Sequence, residues 1–216
     1  MGQAIAARVG EEQDLDLAGI WTRDADLDAI VAVSDVVIDF SLPEGTERVV
    51  AAVMRHEKPL VCGVSGLSSE QMAQIDAAAD VLPLVYDRNM SLGIAVLERC
   101  VREAVESLGQ DFDVRIAETH HVHKKDAPSG TALKLGEAVA EARNEPDTGS
   151  IRYDVERRGE VPGDHEVILS SATERLCFSH SVTTRQVFAD GALRAARWVV
   201  GQAPGRYLMR DVLFSG

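Results

Sequence analysis

The stretch ETHHVHKKDAPSGTA, Glu118 to Ala132, gathers three histidines and two lysines into the six residues His120 to Lys125. Imidazoles exchange protons near neutral pH and ammonium groups hold anions, so such a turn suits a small anion that takes up a proton. If the chain stays extended past Glu118, His121 and His123 project to one side, and His120, Val122 and Lys124 to the other. Pro128 disfavours helical geometry at Ala127 and keeps this segment a loop. Ser129 then reads as the N-cap of a helix over GTALKLGEAVAEA. No Glu or Gln stands at the capping-box position, which leaves the Gly130 and Thr131 amides for an anion, and Gly130 lets that anion come close. The expected ligand is a small dicarboxylate, with His120 and Lys124 carrying the proton chemistry. Two other readings stand beside this one: a plain surface turn, and a metal site or metal-dependent hydrolase built on the histidines. There is no HExxH or paired-cysteine spacing, and adjacent lysines repel a cation, so no metal is expected.

The rest of the chain must position that turn. Its 216 residues suit one large domain or two modest ones, and 45% apolar content provides a sizeable core. Only 5% is aromatic, so the core is built from Ala, Val, Leu and Ile. The formal charge of -13 repels nucleic acid and anionic membrane, and neither is an expected partner. Cys62, Cys100 and Cys177 are an odd, widely spaced set, read as free and mostly buried thiols of a reducing cytoplasm. No apolar run is long enough to span a membrane, and no signal-peptide pattern opens the chain.

Over the first half, short apolar runs alternate with amphipathic stretches. A first helix is expected around Gln3 to Val9, and strands over Leu15–Trp21, Asp35–Phe40, Pro59–Gly66 and Val81–Asp87. Helices are expected over Pro43–Glu57 and over Ser68–Ala79, the second capped by Ser68 or Ser69 with a Glu or Gln three residues on. Strand–helix–strand spacing of this kind implies parallel crossovers in a doubly wound α/β sheet. After Met90 come a long helix, Leu92 to Gly109, and a strand over Phe112–Glu118. Asn144–Ser150 reads as a loop, and Ile151–Thr183 as consecutive strands, hence a mixed or antiparallel sheet. A closing helix, Gly191 to Gly201, is placed to return to the first. The expected fold is therefore a Rossmann-like parallel sheet followed by an α+β region with a mixed sheet.

The turn also resembles the signature of the dihydrodipicolinate reductase family, E-x-H-H-x-x-K-x-D-A-P-S-G-T-A, without a gap. VIDFSLPEGT, CGVSGL, RNMSLG and the final FADGALRAARWVVGQAPGRYLMRDVL resemble further segments of that family. The resemblance implies an NADH- or NADPH-binding domain, residues 1–91 with about 187–216, and a substrate and tetramer domain over 92–186. It implies reduction of 4-hydroxy-tetrahydrodipicolinate, a cyclic dicarboxylate of lysine and diaminopimelate biosynthesis, in a cytoplasmic homotetramer. Carried over by position, His120 would be the acid–base residue and Lys124 the proton donor. His121, Ser129, Gly130 and Thr131 would hold the substrate carboxylates. Phe40, Ser41, Gly63, Val64, Ser65, Asp87, Arg88, Asn89 and Met90 would face the cofactor beyond the strand ends, with Met1 and Arg23 nearby.

The family's opening strand and GxxGRMG turn align here only with Met1 and Gly2, so the resemblance leads one to expect the first strand and most phosphate-cradling glycines to be lacking. That motivates an alternative, a catalytically impaired homologue that binds a dicarboxylate or a partner without cofactor. Thr22 stands where an acid often binds the ribose and Arg23 follows, which favours NADPH over NADH. The loop between Arg23 and Asp35 reads as short for the family, Val64 replaces a hydroxyl residue and Met90 an aromatic.

Overall fold

The computed structural model describes residues 1–214. In chain order the elements are helix α1 (Gly2–Val9), α2 (Leu27–Val33), strand β1 (Val37–Asp39), α3 (Pro43–Arg55), β2 (Leu60–Cys62), α4 (Ser69–Ala79), β3 (Pro83–Tyr86) and α5 (Leu92–Leu108). There follow β4 (Asp113–His120), α6 (Gly130–Arg143), β5 (Arg152–Arg157), β6 (Asp164–Ser170), β7 (Arg175–Ser181), α7 (Gln186–Val199), β8 (Gly205–Tyr207) and α8 (Met209–Phe214). The chain divides into two compact units, Met1–Leu92 together with the segment from Gln186 onward, and Gly93–Arg185.

The first unit holds a four-stranded, all-parallel sheet in the order β1-β2-β3-β8. Its two central strands, β2 and β3, are short and carry no charged residue, as strands covered on both faces must be. Leu60, Val61 and Cys62 are fully buried, and Val49, Val53 and Ile75 from α3 and α4 pack in the same cluster. Truncating Leu60 to Ala there would cost about 2–5 kcal/mol. Pro43 starts α3 at a position that needs no amide donor, and Ser68 caps α4 in a capping box with Gln71, as the sequence pattern predicts. Ile5 and Val9 of α1 pack on Ala189, Ala192 and Leu193, so the closing helix does return to the first. Among the cysteines only Cys62 is buried; Cys100 and Cys177 are exposed, contrary to the expectation of mostly buried thiols.

Leu15–Trp21 is a second correction. It is not a strand. A ladder needs a neighbour, and among the described residues β1 pairs only with β2. A cavity of about 1190 Å³ is lined both by this segment and by β1, with α1, α2 and α7 completing the wall. The residues thus keep their apolar character, with Leu17 and Ile20 about half exposed, but have no strand to bond. Within the stretch read as a short loop after Arg23, Leu27–Val33 forms a helix whose start is capped by the Asp26 carboxylate, accepting from the Ala29 amide.

The second unit is built on a mixed sheet in the order β5-β4-β6-β7. β5 runs parallel to β4, whereas β6 and β7 pair antiparallel. Along β4 burial alternates strictly, with Val114, Ile116, Glu118 and His120 turned inward. The first two enter an apolar cluster with Leu97, Val101, Leu135 and Val139 of α5 and α6, and the last two do not. The same face therefore changes from hydrocarbon to ionisable groups within two residues, which marks where the core ends and a site begins. Deeper in the unit, Lys134 of α6 meets Glu98 of α5 at 3.0 Å, both buried, and Arg102 meets the other Glu98 oxygen at 3.3 Å. A charge held out of water in this way needs its counter-ion.

Candidate active site

The site starts where β4 ends. Extended geometry stops at His120 rather than continuing through Lys124. The Val122 amide donates to the Gly159 carbonyl and the Lys124 amide to that of His121, which closes a turn. The expected alternation of side chains therefore fails past His120: His120 is buried, Val122 and His123 are exposed, and His121 and Lys124 lie between. The His121 and His123 rings still lie 6.1 Å apart. His121 Nε2 is 3.1 Å from the Arg185 guanidinium, and His123 Nε2 is 3.4 Å from Glu160. The Lys124 ammonium is 2.8 Å from Asp126. Burial would raise the Asp126 carboxyl, but Lys124, by hydrogen bond and by charge, holds it below the usual carboxylate range.

Ser129 caps α6, its Oγ accepting from the Ala132 amide at 3.2 Å. Its own amide donates to both oxygens of Glu118 at 3.1 Å. Glu118 is almost wholly buried and receives a second donor, Arg157 Nη2, at 3.1 Å. The same guanidinium donates to the carbonyls of Lys124 and Asp126, tying down the loop that carries the lysine. Glu118 also faces two imidazoles: Nδ1 of His120 at 3.5 Å and Nε2 of His165 at 3.8 Å. His165 Nε2 is 3.3 Å from Ser129 Oγ, and the two rings meet edge to face with centroids 5.0 Å apart. Strand register makes this arrangement: Glu118 pairs across to His165 of β6, and His120 to Arg157 of β5.

Burial lowers the pKa of His120; Glu118 pulls it up, while Lys124 and Arg157 push it further down. Burial pushes His165 down to about 3, with the His120, His180 and Lys124 charges adding to the effect. Both rings are therefore neutral at pH 7, and His120 can accept and return a proton close to cationic groups. Glu118, His120 and His165 also bring one ligand atom each within 4.8 Å of one another. The donors already on Glu118 and the cations beside it disfavour a metal there.

The residues expected to meet a cofactor occupy the carboxyl ends of β1, β2 and β3, three neighbours in one parallel sheet. Asp39, at the end of β1, accepts from the Ser41 amide at 2.8 Å. A Cβ on Gly63 would stand 2.4 Å from the Phe40 ring, so only glycine lets these two loops lie together. Ser65 is exposed, Arg88 is half-buried, and Gly66 turns the loop at φ +76°. Val64, Asp87, Asn89 and Met90 are buried. Asp87 accepts from the Asn89 amide and from the Met209 amide at the start of α8, both at 3.1 Å. Asn89 in turn accepts from the Ser91 amide at 2.8 Å. Met1 precedes α1 and Arg23 lies in an exposed turn after Trp21; neither is at these strand ends. Arg157, His165 and Arg185 meet the histidine turn from other parts of the chain and are not singled out by local pattern reading, and Glu118, quoted at the head of the motif, is given no role by it. A charge inside an otherwise apolar strand face is the one signal that could have found Glu118.

A parallel sheet with polar loops at its carboxyl ends, and a separate mixed sheet bearing a buried imidazole among cations, are features found in nucleotide-dependent oxidoreductases. Comparison with known proteins makes this particular. Residues 1–90 match the model described as "Dihydrodipicolinate reductase, N-terminus", and residues 93–213 match "Dihydrodipicolinate reductase, C-terminus". The chain belongs to the dihydrodipicolinate reductase family. It is 40% identical over 228 residues to the 4-hydroxy-tetrahydrodipicolinate reductase of Halorhodospira halophila, covering 98% of this chain and 85% of that one. It is 39% identical over 236 residues to that of Zymomonas mobilis, covering 99% and 92%. A dipicolinate-bound dihydrodipicolinate reductase from Paenisporosarcina sp. TG-14 shares the fold at a TM-score of 0.79 and 20% identity, covering 98% of this chain and 95% of that one.

Proposed function

We propose that this chain reduces 4-hydroxy-tetrahydrodipicolinate to tetrahydrodipicolinate, with a nicotinamide nucleotide as reductant and water as the leaving product. The observation that carries the reading is the folded turn from Glu118 to Thr131. It combines a buried neutral imidazole, an ammonium group and the capped start of α6 within one loop. A ring with two carboxylates needs that combination: donors for negative charge and a group that moves a proton at neutral pH.

In this reading Ser129, Gly130 and Thr131 hold one carboxylate at the amide end of α6, and His121 with Lys124 hold the other side of the ring. Lys124 leaves Asp126 for the ligand, since both compete for the same ammonium. His120 and Lys124 supply and take up protons at the ring. The loops after β1, β2 and β3 fit a nicotinamide nucleotide, because they lie at the carboxyl ends of three neighbouring parallel strands and carry the polar side chains of Ser65 and Arg88. When bound, the nucleotide supplies hydride. Phe40, Ser41, Gly63, Val64, Ser65 and Asp87 to Met90 would shape and line its seat, with Met1 and Arg23 toward its outer end. The exposed guanidinium of Arg23 favours a 2′-phosphate, hence NADPH over NADH. The assembly proposed is a homotetramer, which light scattering of the purified chain would test.

The decisive measurement is the rate of NADPH oxidation with enzymatically generated substrate. His120→Ala and Lys124→Ala should each lower kcat by about 10²–10⁴-fold. Near-parental kcat in both variants would refute the assignment. Arg23→Ala should lower the NADPH-to-NADH ratio of kcat/KM, and an unchanged ratio would remove the cofactor preference.

A further inference from the structure

His120 has two ring nitrogens in unlike surroundings. Nδ1 is sealed from solvent, lies 3.5 Å from Glu118 Oε2, and makes no hydrogen bond among the described residues. Nε2 lies beside Gly163, where even a Cβ would come within 3.0 Å of it, so a bare backbone with φ +155° borders that nitrogen. Glu118 is fixed from two directions, by the Ser129 amide and by Arg157. Its Oε2 faces His120 Nδ1 at 3.5 Å and His165 Nε2 at 3.8 Å.

We propose that Glu118 is the positioning residue of the site: its clamped carboxylate fixes the proton of His120 on Nδ1 and so leaves Nε2 as the nitrogen that exchanges protons with the substrate. The role rests on the reading of His120 as the acid–base residue. No proton passes to Glu118; the carboxylate orients the ring and stabilises the imidazolium that forms when Nε2 takes a proton. The other charged and titratable groups around His120 are Lys124 and Asp126 on the loop, Arg157 on β5 and His165 on β6, with His180 of β7 beyond His165. Lys124 and Arg157 oppose the imidazolium and Glu118 favours it, so the two kinds of neighbour can be separated by sign.

The test is two-bond ¹H–¹⁵N NMR of the histidine rings in the full chain, with His120 assigned by its loss in His120→Asn. The parent should show the Nδ1–H tautomer at His120. Glu118→Gln should lower the His120 titration midpoint about tenfold in proton concentration and mix the tautomers. Glu118→Asp should restore part of both, and Arg157→Gln should move the midpoint upward. Shifts of opposite sign in Glu118→Gln and Arg157→Gln would not arise from a merely loosened fold. An unmoved midpoint and tautomer in Glu118→Gln would overturn the proposal, as would shifts of the same sign. If Glu118→Gln does not fold, a downward shift in Glu118→Asp and an upward one in Arg157→Gln decide it in the same way. The reading of His120 fails separately, by turnover that survives His120→Asn while the NMR shifts still occur. Where both hold, the acidic limb of kcat/KM against pH should move down in Glu118→Gln with the NMR midpoint.

Discussion

Asp87 and Glu118 are both buried carboxylates at the carboxyl end of a β-strand, yet they do different work. Asp87 spends its oxygens on two backbone amides, of Asn89 and Met209, and so shapes the loop after β3 and anchors α8. Asp39 does the same on a smaller scale for Ser41. Glu118 receives one amide, from Ser129, and one guanidinium, from Arg157, and turns what remains toward two imidazoles. The parallel sheet uses its acids to hold backbone. The mixed sheet uses its acid to set the charge of other side chains. A site that binds needs the first device; a site that moves protons needs the second.

The largest effect that can break this contrast is in acid stability. His165 is pushed from 6.5 to about 3, chiefly by burial. As pH falls below 6.5 the unfolded chain binds that proton first, so the stability is complete above this value and is lost progressively toward pH 3. A shift of that size corresponds to on the order of 5 kcal/mol. His165→Asn can keep a hydrogen bond to Ser129 but cannot titrate. Its denaturation midpoint should fall less between pH 6.5 and pH 4 than that of the parent. Parallel curves would mean that the histidine ring is not held neutral by its surroundings.

The second prediction concerns the acid that holds backbone amides. Asp87→Ala removes its hydrogen bonds to the Asn89 and Met209 amides, a loss of about 2–4 kcal/mol in urea denaturation at neutral pH. Asp87→Asn keeps one acceptor oxygen and should recover part of it. Neither should change the His120 titration. A shift in His120 with Asp87 altered would erase the distinction between the two acids.

Much of this contrast is local and was legible in the sequence. The order of helices and parallel strands from Pro43 to Tyr86 follows from apolar periodicity, capping residues and glycines at strand ends. So does the cap at Ser129, because an N-cap is decided within three residues. The remainder depends on pairing. Leu15–Trp21 has the composition of a strand, but composition does not say whether a neighbour is there to bond it. Leu27–Val33 is only seven residues, too short for its period to stand out from a loop. Arg157 and His165 reach the site through cross-strand register, 39 and 47 residues away from Glu118 in the chain, and nothing near either residue announces it. The histidine turn is thus readable as chemistry, whereas the groups that set its protonation become visible only in the sheet.

The smallest expected effect compares two helix caps. Ser68 and Ser129 each cap a helix through Oγ, one over α4 in the first unit and one over α6 in the second. Either serine replaced by Ala should lose about 1 kcal/mol of stability, since each strands one first-turn amide. The two should differ in function. The Ser68 amide also donates to the Gln71 side-chain oxygen in a closed box, and its hydroxyl donates to Glu70, so its whole role is local. Ser129 stands against His165 and beside Glu118, with its helix start facing the proposed carboxylate seat. Ser68→Ala should therefore leave kcat/KM within about twofold of the parent, while Ser129→Ala should raise KM several-fold at equal stability cost, roughly the energy of one hydrogen bond to a charged group. Equal KM in both variants would show that the start of α6 holds only its own backbone, and the carboxylate would have to be sought elsewhere on the turn.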